Sequence, residues 1–276
     1  MALPALPLFE VRVLRGVVFT GVWFGFLDPV RAVRKPEVSL LTPQVPGIVE
    51  FVRSRLGFEP DAAQIAVLES TAKQGILNCS RQWGKSTVSA AKALHRAYTV
   101  PKSLVLVASP TERQSTEWMR KAREMAVGLA GKKPLRGDGY NQISLLLPNG
   151  SRIVGLPGMD GTVRGFSNVS MLVIDEAARV SDSIYRMLRP MLAVSDGDLW
   201  LMSTPCGRLG FFYEAWEYGG ADWFRVHGPA TECPRIRADF LERERGEMGA
   251  LMFRQEYLGE FVDNGTGLFD RALVEQ

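Results

Sequence analysis

The chain has 276 residues, with 33 Lys and Arg against 30 Asp and Glu and a formal net charge of +3. This length predicts one α/β domain with a small additional subdomain and a substantial core, and so small a charge does not by itself identify a nucleic-acid-binding protein. Two His and three widely spaced Cys argue against a His-based catalytic triad or a zinc centre, and they favour a reducing compartment.

The first 46 residues are interpreted as an N-terminal extension. Arg12 and Arg15 precede an apolar run at 16–27 that superficially resembles a signal sequence. The run is too short for a membrane helix, and no Ala-x-Ala cleavage site follows it. The Pro-rich stretch at 29–46 predicts a linker or a surface strap. We therefore expect no membrane partner.

A phosphate-binding loop is predicted at 79–87. Before this loop, helical spacing predicts two helices, at 48–56 and at 61–70, and Asp61 is expected to cap the second. Ile76 and Leu77 then end a buried strand, and an Ala-rich helix follows at 89–97. Free N–H groups and the helix dipole at such a junction suit a polyphosphate. The junction reads Cys79-Ser80-Arg81-Gln82-Trp83-Gly84-Lys85-Ser86-Thr87, with Cys79 where the usual pattern has its first glycine.

Within this loop, Lys85 has the reach to bind the β- and γ-phosphates of a nucleotide, and the Ser86 hydroxyl suits one position on Mg²⁺. Arg81 has two interpretations: a second sensor of the γ-phosphate, or a salt bridge to a nearby acid.

The next segment predicts a strand at 104–108, a helix at 112–129 and a β-hairpin at 143–147 and 152–156. Its basic residues form either a sequence-independent track for phosphates or a solvated helix face. They are Arg120, Lys121, Arg123, Lys132, Lys133 and Arg136.

Two further strand ends carry polar residues. The apolar run at 171–174 ends in Asp175 and Glu176, which predicts a Mg²⁺ ligand and a group that polarises the attacking water. The alternative is a strand end followed by an acidic pair at the N-terminus of a helix. A separate helix is predicted at 182–192. The run at 199–202 ends in Ser203-Thr204-Pro205, which suits a γ-phosphate sensor or an ordinary turn.

Strands alternating with helices predict a parallel sheet sandwiched by helices, with ligands at the carboxyl ends of the strands. With its phosphate-binding loop and the acidic pair at 175–176, this arrangement resembles a P-loop NTPase of the ASCE/RecA-like type. We expect this core at 47–207. Residues 208–276, with a charged helix at 235–246, are expected to form a small C-terminal lid subdomain and the start of a linker.

Together and in this order, the motifs resemble the ATPase domain of the large terminase subunit of tailed bacteriophages and herpes-like viruses, over about 58–261. The resemblance implies a deviant Walker A at Ser80–Ser86, Walker B at Asp175 with the catalytic Glu176, and a coupling motif at Ser203. Gln64, after Phe58-Glu59-Pro60, corresponds to the residue that reads the adenine edge. Arg164 corresponds to a finger inserted into a neighbouring subunit's site. The nucleotide-binding set is then Gln64, Ser80, Arg81, Gln82, Trp83, Gly84, Lys85, Ser86, Thr87, Ser203 and Thr204.

The resemblance also implies a function: ATP hydrolysis with Mg²⁺ that moves double-stranded DNA into a procapsid. It implies a portal protein and a small terminase subunit as partners, a homo-oligomeric ring at work and a monomer in isolation. The site of action would be the host cytoplasm, and transiently the procapsid portal. Full-length members continue into a nuclease domain, whose carboxylate set is not found here, so we expect the motor half.

Two other functions compete with this one. A superfamily 2 helicase-like translocase shares the Walker motifs and the Ser-Pro-Thr step at Ser109, but Asp175-Glu176-Ala177-Ala178 lacks that group's fourth acidic or histidine residue. The other is a nucleotide-gated module that docks DNA or capsid proteins with little turnover, against which Glu176 argues.

Overall fold

The computed structural model describes residues 46–129, 136–141, 143–156 and 165–263. The N-terminal extension, Arg164, Lys132 and Lys133 lie outside these ranges. Within them, no helix combines the length and the apolar character that crossing a membrane requires.

Seven strands of the described chain form one sheet in the order β3-β4-β2-β5-β6-β1-β7. Every neighbouring pair is parallel except β3 with β4, which form the predicted antiparallel hairpin at one edge. The predicted parallel sheet is thereby confirmed. The strands are β1 Gln74–Cys79, β2 Leu104–Ala108, β3 Ser144–Leu146, β4 Arg152–Gly155, β5 Met171–Asp175, β6 Asp198–Ser203 and β7 Trp223–Gly228.

Eight α-helices accompany the sheet in the described ranges. The predicted cap of α2 is present, since the Asp61 carboxylate accepts from the Gln64 N–H while the Gln64 side chain accepts from the Asp61 N–H. The helices are α1 Ile48–Leu56, α2 Ala62–Glu69, α3 Lys85–Thr99, α4 Glu112–Met125, α5 Asp182–Leu188, α6 Gly210–Tyr218, α7 Ala238–Glu247 and α8 Ala250–Leu258.

The central strands are buried on both faces, as their continuous apolar runs predict. Along β2, Val105 and Val107 belong to one hydrophobic cluster, and Leu104 and Leu106 belong to the cluster on the opposite face. Alternate side chains of a strand point to opposite faces, so every position of a strand that is covered on both sides is buried and favours an apolar residue. The sheet is therefore a rigid base for the loops at its carboxyl edge.

Several elements differ from the sequence prediction. The helices predicted at 112–129 and 182–192 end as α-helix at Met125 and Leu188 and continue as 3₁₀ turns. Neither β7, α6 nor α8 was predicted. β7 is an edge strand with partly exposed Arg225 and His227, so it lacks the apolar run that marks the central strands. Residues beyond 207 thus contribute a strand to the main sheet.

Candidate functional site

Three loops meet at the carboxyl edge of the sheet because β5, β6 and β1 are adjacent, parallel strands. The loop after β1 carries Lys85 and Ser86 at the start of α3. β5 ends at Asp175, and β6 ends at Ser203. The sheet order therefore brings together three motifs that are far apart in the chain.

The loop between β1 and α3 turns at Gln82 and Gly84, whose φ angles of 63° and 100° lie in the left-handed region. The left-handed φ of Gly84 favours glycine, and a Cβ there would lie 2.7 Å from Gln64 Nε2 and would displace the Gln64 amide.

Cys79 occupies the first glycine position without distorting the loop, because it is still part of β1 and its side chain is buried. It packs against Gly228 of β7, where a Cβ would lie 2.7 Å from Cys79 Sγ. Burial raises the pKa of the Cys79 thiol to about 12. Gly228 thus leaves room for the Cys79 side chain between the two strands.

The Lys85 ammonium lies in the centre of the site. It donates to the carbonyl oxygens of Cys79 and Ser80, both at 2.9 Å, and to Thr204 Oγ1 at 3.2 Å. Burial lowers the pKa of Lys85, and the negative charge of Glu176 opposes that shift. Lys85 and Thr204 are therefore in direct contact across two strand ends.

Ser86 and Asp175 form the second pair. Ser86 Oγ donates to Asp175 Oδ2 at 3.1 Å. Burial, and then the nearby Glu176, raise the pKa of Asp175 to about 6. Its other oxygen, Oδ1, is buried without a hydrogen-bond partner. An orphaned carboxylate oxygen beside a hydroxyl is an arrangement suited to a cation.

Glu176 follows β5 in the left-handed region, with φ 52° and ψ 43°. Non-glycine residues rarely adopt this conformation outside sites that over-determine it. Its Oε2 accepts from Arg179 Nη1 at 3.0 Å and lies 3.5 Å from Ser203 Oγ. The turn thus separates the directions of the adjacent carboxylates of Asp175 and Glu176.

Arg81 forms the salt bridge that was one of its two interpretations. Its Nε lies 2.6 Å from Glu256 Oε2 on α8, although two thirds of the Arg81 side chain is exposed. Arg81 also lines the cleft over the loop. The contact gives it a partner without removing it from the site.

Gln64 contacts the loop through its side chain. Besides completing the cap of α2, its amide donates to the Trp83 carbonyl at 3.3 Å. Arg235 binds the same carbonyl at 2.5 Å and the Asp61 carboxylate at 2.6 Å. The Trp83 ring itself is buried in the core, so only its backbone faces the site.

An open cleft of about 520 Å³ lies over the loop, with Lys85 and Ser86 in its lining. Asp175, Ser203 and Thr204 are buried and do not line it. Gln82, Thr87 and Glu176 line it, whereas Ser80 is fully buried with an unpartnered hydroxyl. Sequence reasoning missed Arg179, Arg235 and Glu256. Arg179 had a local signal, its position three residues after Glu176, but the other two are distant in the chain and carry no motif.

Comparison with known proteins gives one consistent answer. Residues 76–276 match the family described as terminase large subunit, T4likevirus-type, N-terminal. The large terminase subunit of Thermus virus P23-45 is 28% identical in an alignment that covers 78% of this chain and 51% of that protein. The chain therefore spans about half the length of this relative.

Solved structures share the fold. The large terminase ATPase domain of Thermus phage P74-26 is 26% identical, with a TM-score of 0.66 over 77% of this chain and 98% of that one. The large terminase of a thermophilic bacteriophage, solved in complex with ATP-gamma-S, has a TM-score of 0.61 at 16% identity, over 73% of this chain and 52% of that one.

Proposed function

Since this chain belongs to the N-terminal family of T4-like-virus-type terminase large subunits, we propose that it is the ATP-hydrolysing part of a phage DNA-packaging motor. The observation that carries the proposal is the convergence of Lys85, Ser86, Asp175 and Glu176 at one edge of the sheet, with Ser86 Oγ 3.1 Å from Asp175. A cation, a metal ligand pair and a separate carboxylate are the parts that phosphoryl transfer needs.

The residues present fit a magnesium ion. Ser86 and Asp175 offer hydroxyl and carboxylate oxygens, and Asp175 Oδ1 lacks a partner within the protein. Two protein ligands are enough, because Mg²⁺ usually keeps several waters and phosphate oxygens in its shell. When bound, it would neutralise charge on the β- and γ-phosphate oxygens.

Lys85 binds the phosphates by exchanging partners. In this structure its ammonium is satisfied by two loop carbonyls and Thr204. A triphosphate offers stronger, charged acceptors, so the ammonium turns toward it. That exchange releases Thr204, which gives the coupling motif a way to sense the phosphate.

Glu176 orients the attacking water. Its carboxylate lines the cleft and is anchored through Arg179. To bind the adenine edge, the Gln64 amide has to give up its hydrogen bond to the Trp83 carbonyl. That carbonyl would still accept a hydrogen bond from Arg235. Arg164, outside the described residues, is proposed as the finger that stabilises charge in a neighbouring subunit's site.

The proposed partners follow from the family: double-stranded DNA, a portal protein, a small terminase subunit and further copies of this chain in a ring. The host cytoplasm and the procapsid portal are the proposed sites of action. Residues after β7, which bring Arg235 to the cleft and place Glu256 behind Arg81, are assigned as the lid.

Two substitutions test the proposal. Lys85→Ala removes the phosphate cation and should abolish measurable ATP binding. Glu176→Gln keeps the shape but removes the charge, so it should bind ATP and lose turnover by about 10²- to 10⁴-fold. Lys73→Ala is the matched control, because Lys73 forms an exposed ion pair with Asp196 and does not line the cleft. Parental hydrolysis in Glu176→Gln would contradict the assignment.

A further inference from the structure

Glu256 of α8 is a buried carboxylate bound by two arginines from different loops. Its Oε2 accepts from Arg81 Nε at 2.6 Å, and its Oε1 lies 3.5 Å from Arg179 Nη2. Only 8% of the Glu256 side chain is exposed. A carboxylate so buried is costly unless it is paired, and here each of its oxygens has a guanidinium partner.

The position of Glu256 is fixed by the backbone as well. The Arg81 N–H donates to the Glu256 carbonyl at 3.3 Å. Asn78 of β1 donates to the Gly259 carbonyl at 2.8 Å, and the His227 ring of β7 lies 2.8 Å from the Leu258 carbonyl. Two strand ends therefore hold the C-terminus of α8 beside the phosphate loop.

These contacts form a chain of alternating charges across the site: Arg81, Glu256, Arg179 and Glu176. Arg179 is the link, since it contacts Glu256 through Nη2 and Glu176 through Nη1. Arg81, Arg179 and Glu176 line the cleft, whereas Glu256 does not. Glu256 thus lies behind the groups that face the nucleotide.

We propose that Glu256 is a positioning residue for ATP hydrolysis, which holds Arg81 and Arg179 at the phosphate end of the cleft and, through Arg179, sets the carboxylate of Glu176. This rests on the proposed function. It assigns the α8 segment a direct part in the phosphate site, at a residue that no motif marks.

The proposal predicts opposite effects on binding and on turnover. Glu256→Gln removes one negative charge close to two cleft arginines, so ADP should bind about two- to fivefold more tightly. The same change leaves Arg179 without its anchor and displaces Glu176, so kcat should fall about 10- to 100-fold, the cost of a small misplacement. A merely structural role would leave ADP affinity unchanged or weaken it.

The experiment measures kcat and KM for ATP, and the Kd for ADP, on the full chain. Glu260→Gln is the matched control, because it makes the same change at an ion pair with Arg254 that is away from the nucleotide cleft. Glu256→Asp keeps the charge with a shorter reach, so it should keep the parental Kd for ADP while kcat falls. In the double variant Arg81→Gln/Arg179→Gln, adding Glu256→Gln should lower kcat no further.

The possible results are distinct. If the parent hydrolyses ATP and Glu256→Gln keeps the parental kcat, the positioning role is overturned while the proposed function stands. Additive losses in the triple variant, or weaker ADP binding by a folded Glu256→Gln protein, also overturn it. A parent that hydrolyses no ATP at any protein concentration overturns both.

A second pair of variants covers the case in which Glu256→Gln does not fold. Arg179→Lys keeps the charge but lacks the planar fork that contacts Glu176 through Nη1 and Glu256 through Nη2, so kcat should fall with the Kd for ADP unchanged. Arg81→Gln changes a largely exposed side chain and should lower kcat in the same assay. Parental kcat in both variants would overturn the proposal.

Discussion

At the scale of single residues, the environment of a side chain decided between interpretations that the sequence left open. Arg81 was either a phosphate sensor or half of a salt bridge; it is paired with Glu256 and still lines the cleft. Cys79 departs from the usual loop pattern, yet it ends β1 as an ordinary buried strand residue. In both cases the deciding contact comes from a distant part of the chain.

The burial of Cys79 leads to a prediction about thiol reactivity. Because the pKa of Cys79 is raised to about 12, this group stays a neutral, unreactive thiol at pH 8. Cys233 is also buried, whereas Cys206 is partly exposed. A thiol reagent such as Ellman's reagent should therefore label one cysteine per native chain rapidly and all three after unfolding.

Cys206→Ser should remove the rapid phase and leave the slow labelling unchanged. Rapid modification of Cys79 in the native protein would show that β1 does not shield the thiol as the structure describes.

At the scale of elements, α4 carries three of the basic residues of the predicted phosphate track, and the structure shows what they contact. Arg120 is paired with Glu117 and Glu124 on the same helix. Arg123 donates to the Ser144 carbonyl at 2.9 Å, and Lys121 lines the nucleotide cleft. Arg120 and Arg123 therefore have protein partners. A DNA role falls to the rest of the stretch, which includes Lys132 and Lys133, outside the described residues.

The connection between α2 and α3 gives a second element-scale result. The buried Lys92 ammonium of α3 donates to the carbonyls of Val67, Leu68 and Ser70 at 2.8–3.0 Å. It also lies 4.4 Å from the centroid of the Trp200 ring. Lysine near a helix C-terminus satisfies the orphan carbonyls there. Lys92 thus joins the helix of the phosphate loop to the helix that carries Gln64.

We predict that Lys92→Met lowers the free energy of unfolding by about 1–3 kcal/mol, because buried carbonyls lose their donor while the side-chain volume is kept. Denaturant unfolding measures the change. Lys73→Met changes an exposed lysine, and Asp198, its buried neighbour, keeps Arg96 as a partner, so this variant should stay within about 0.5 kcal/mol of the parent. Equal stability of the two variants would contradict the role of Lys92.

At the scale of the whole molecule, assembly is the main expectation. If Arg164 acts in a neighbouring subunit, the purified chain should be largely monomeric and should hydrolyse ATP slowly, with turnover per subunit rising with protein concentration. Mixing Arg164→Ala with Glu176→Gln should partly restore activity, since each subunit supplies what the other's site lacks. Sedimentation and phosphate release measure both effects. If the rate per subunit does not change with protein concentration and mixing gives no rescue, Arg164 either acts in its own subunit's site or is not a finger.

DNA binding is also a property of the assembly. Binding should be independent of sequence and should weaken steeply with salt, since each neutralised phosphate releases about 0.9 counterion. Lys132→Ala with Lys133→Ala should lower the salt slope by roughly one unit per lost contact and leave ATP affinity unchanged without DNA. Arg120→Ala is the matched control, because its partners are acids of its own helix. An unchanged slope in an assembled ring would move the DNA surface elsewhere.

The sequence by itself determined the features that depend on neighbouring residues. Strand periodicity, the cap at Asp61, the turn chemistry at Gly84-Lys85-Ser86 and the paired carboxylates at Asp175 are all local, because backbone hydrogen bonds and side-chain alternation act over a few positions. Their order along the chain was enough to predict a parallel sheet with a phosphate site at its carboxyl edge.

Tertiary structure alone decided which distant groups complete that site. Arg81 and Glu256 are separated by 175 positions, and Arg235 reaches the Trp83 carbonyl across 152. The position of β7 beside β1, which puts α8 next to the loop, also left no periodic signal. Such pairings depend on how the sheet is ordered and what then packs at its edge, so a charged residue of α8 acquires its partners only when the chain has folded.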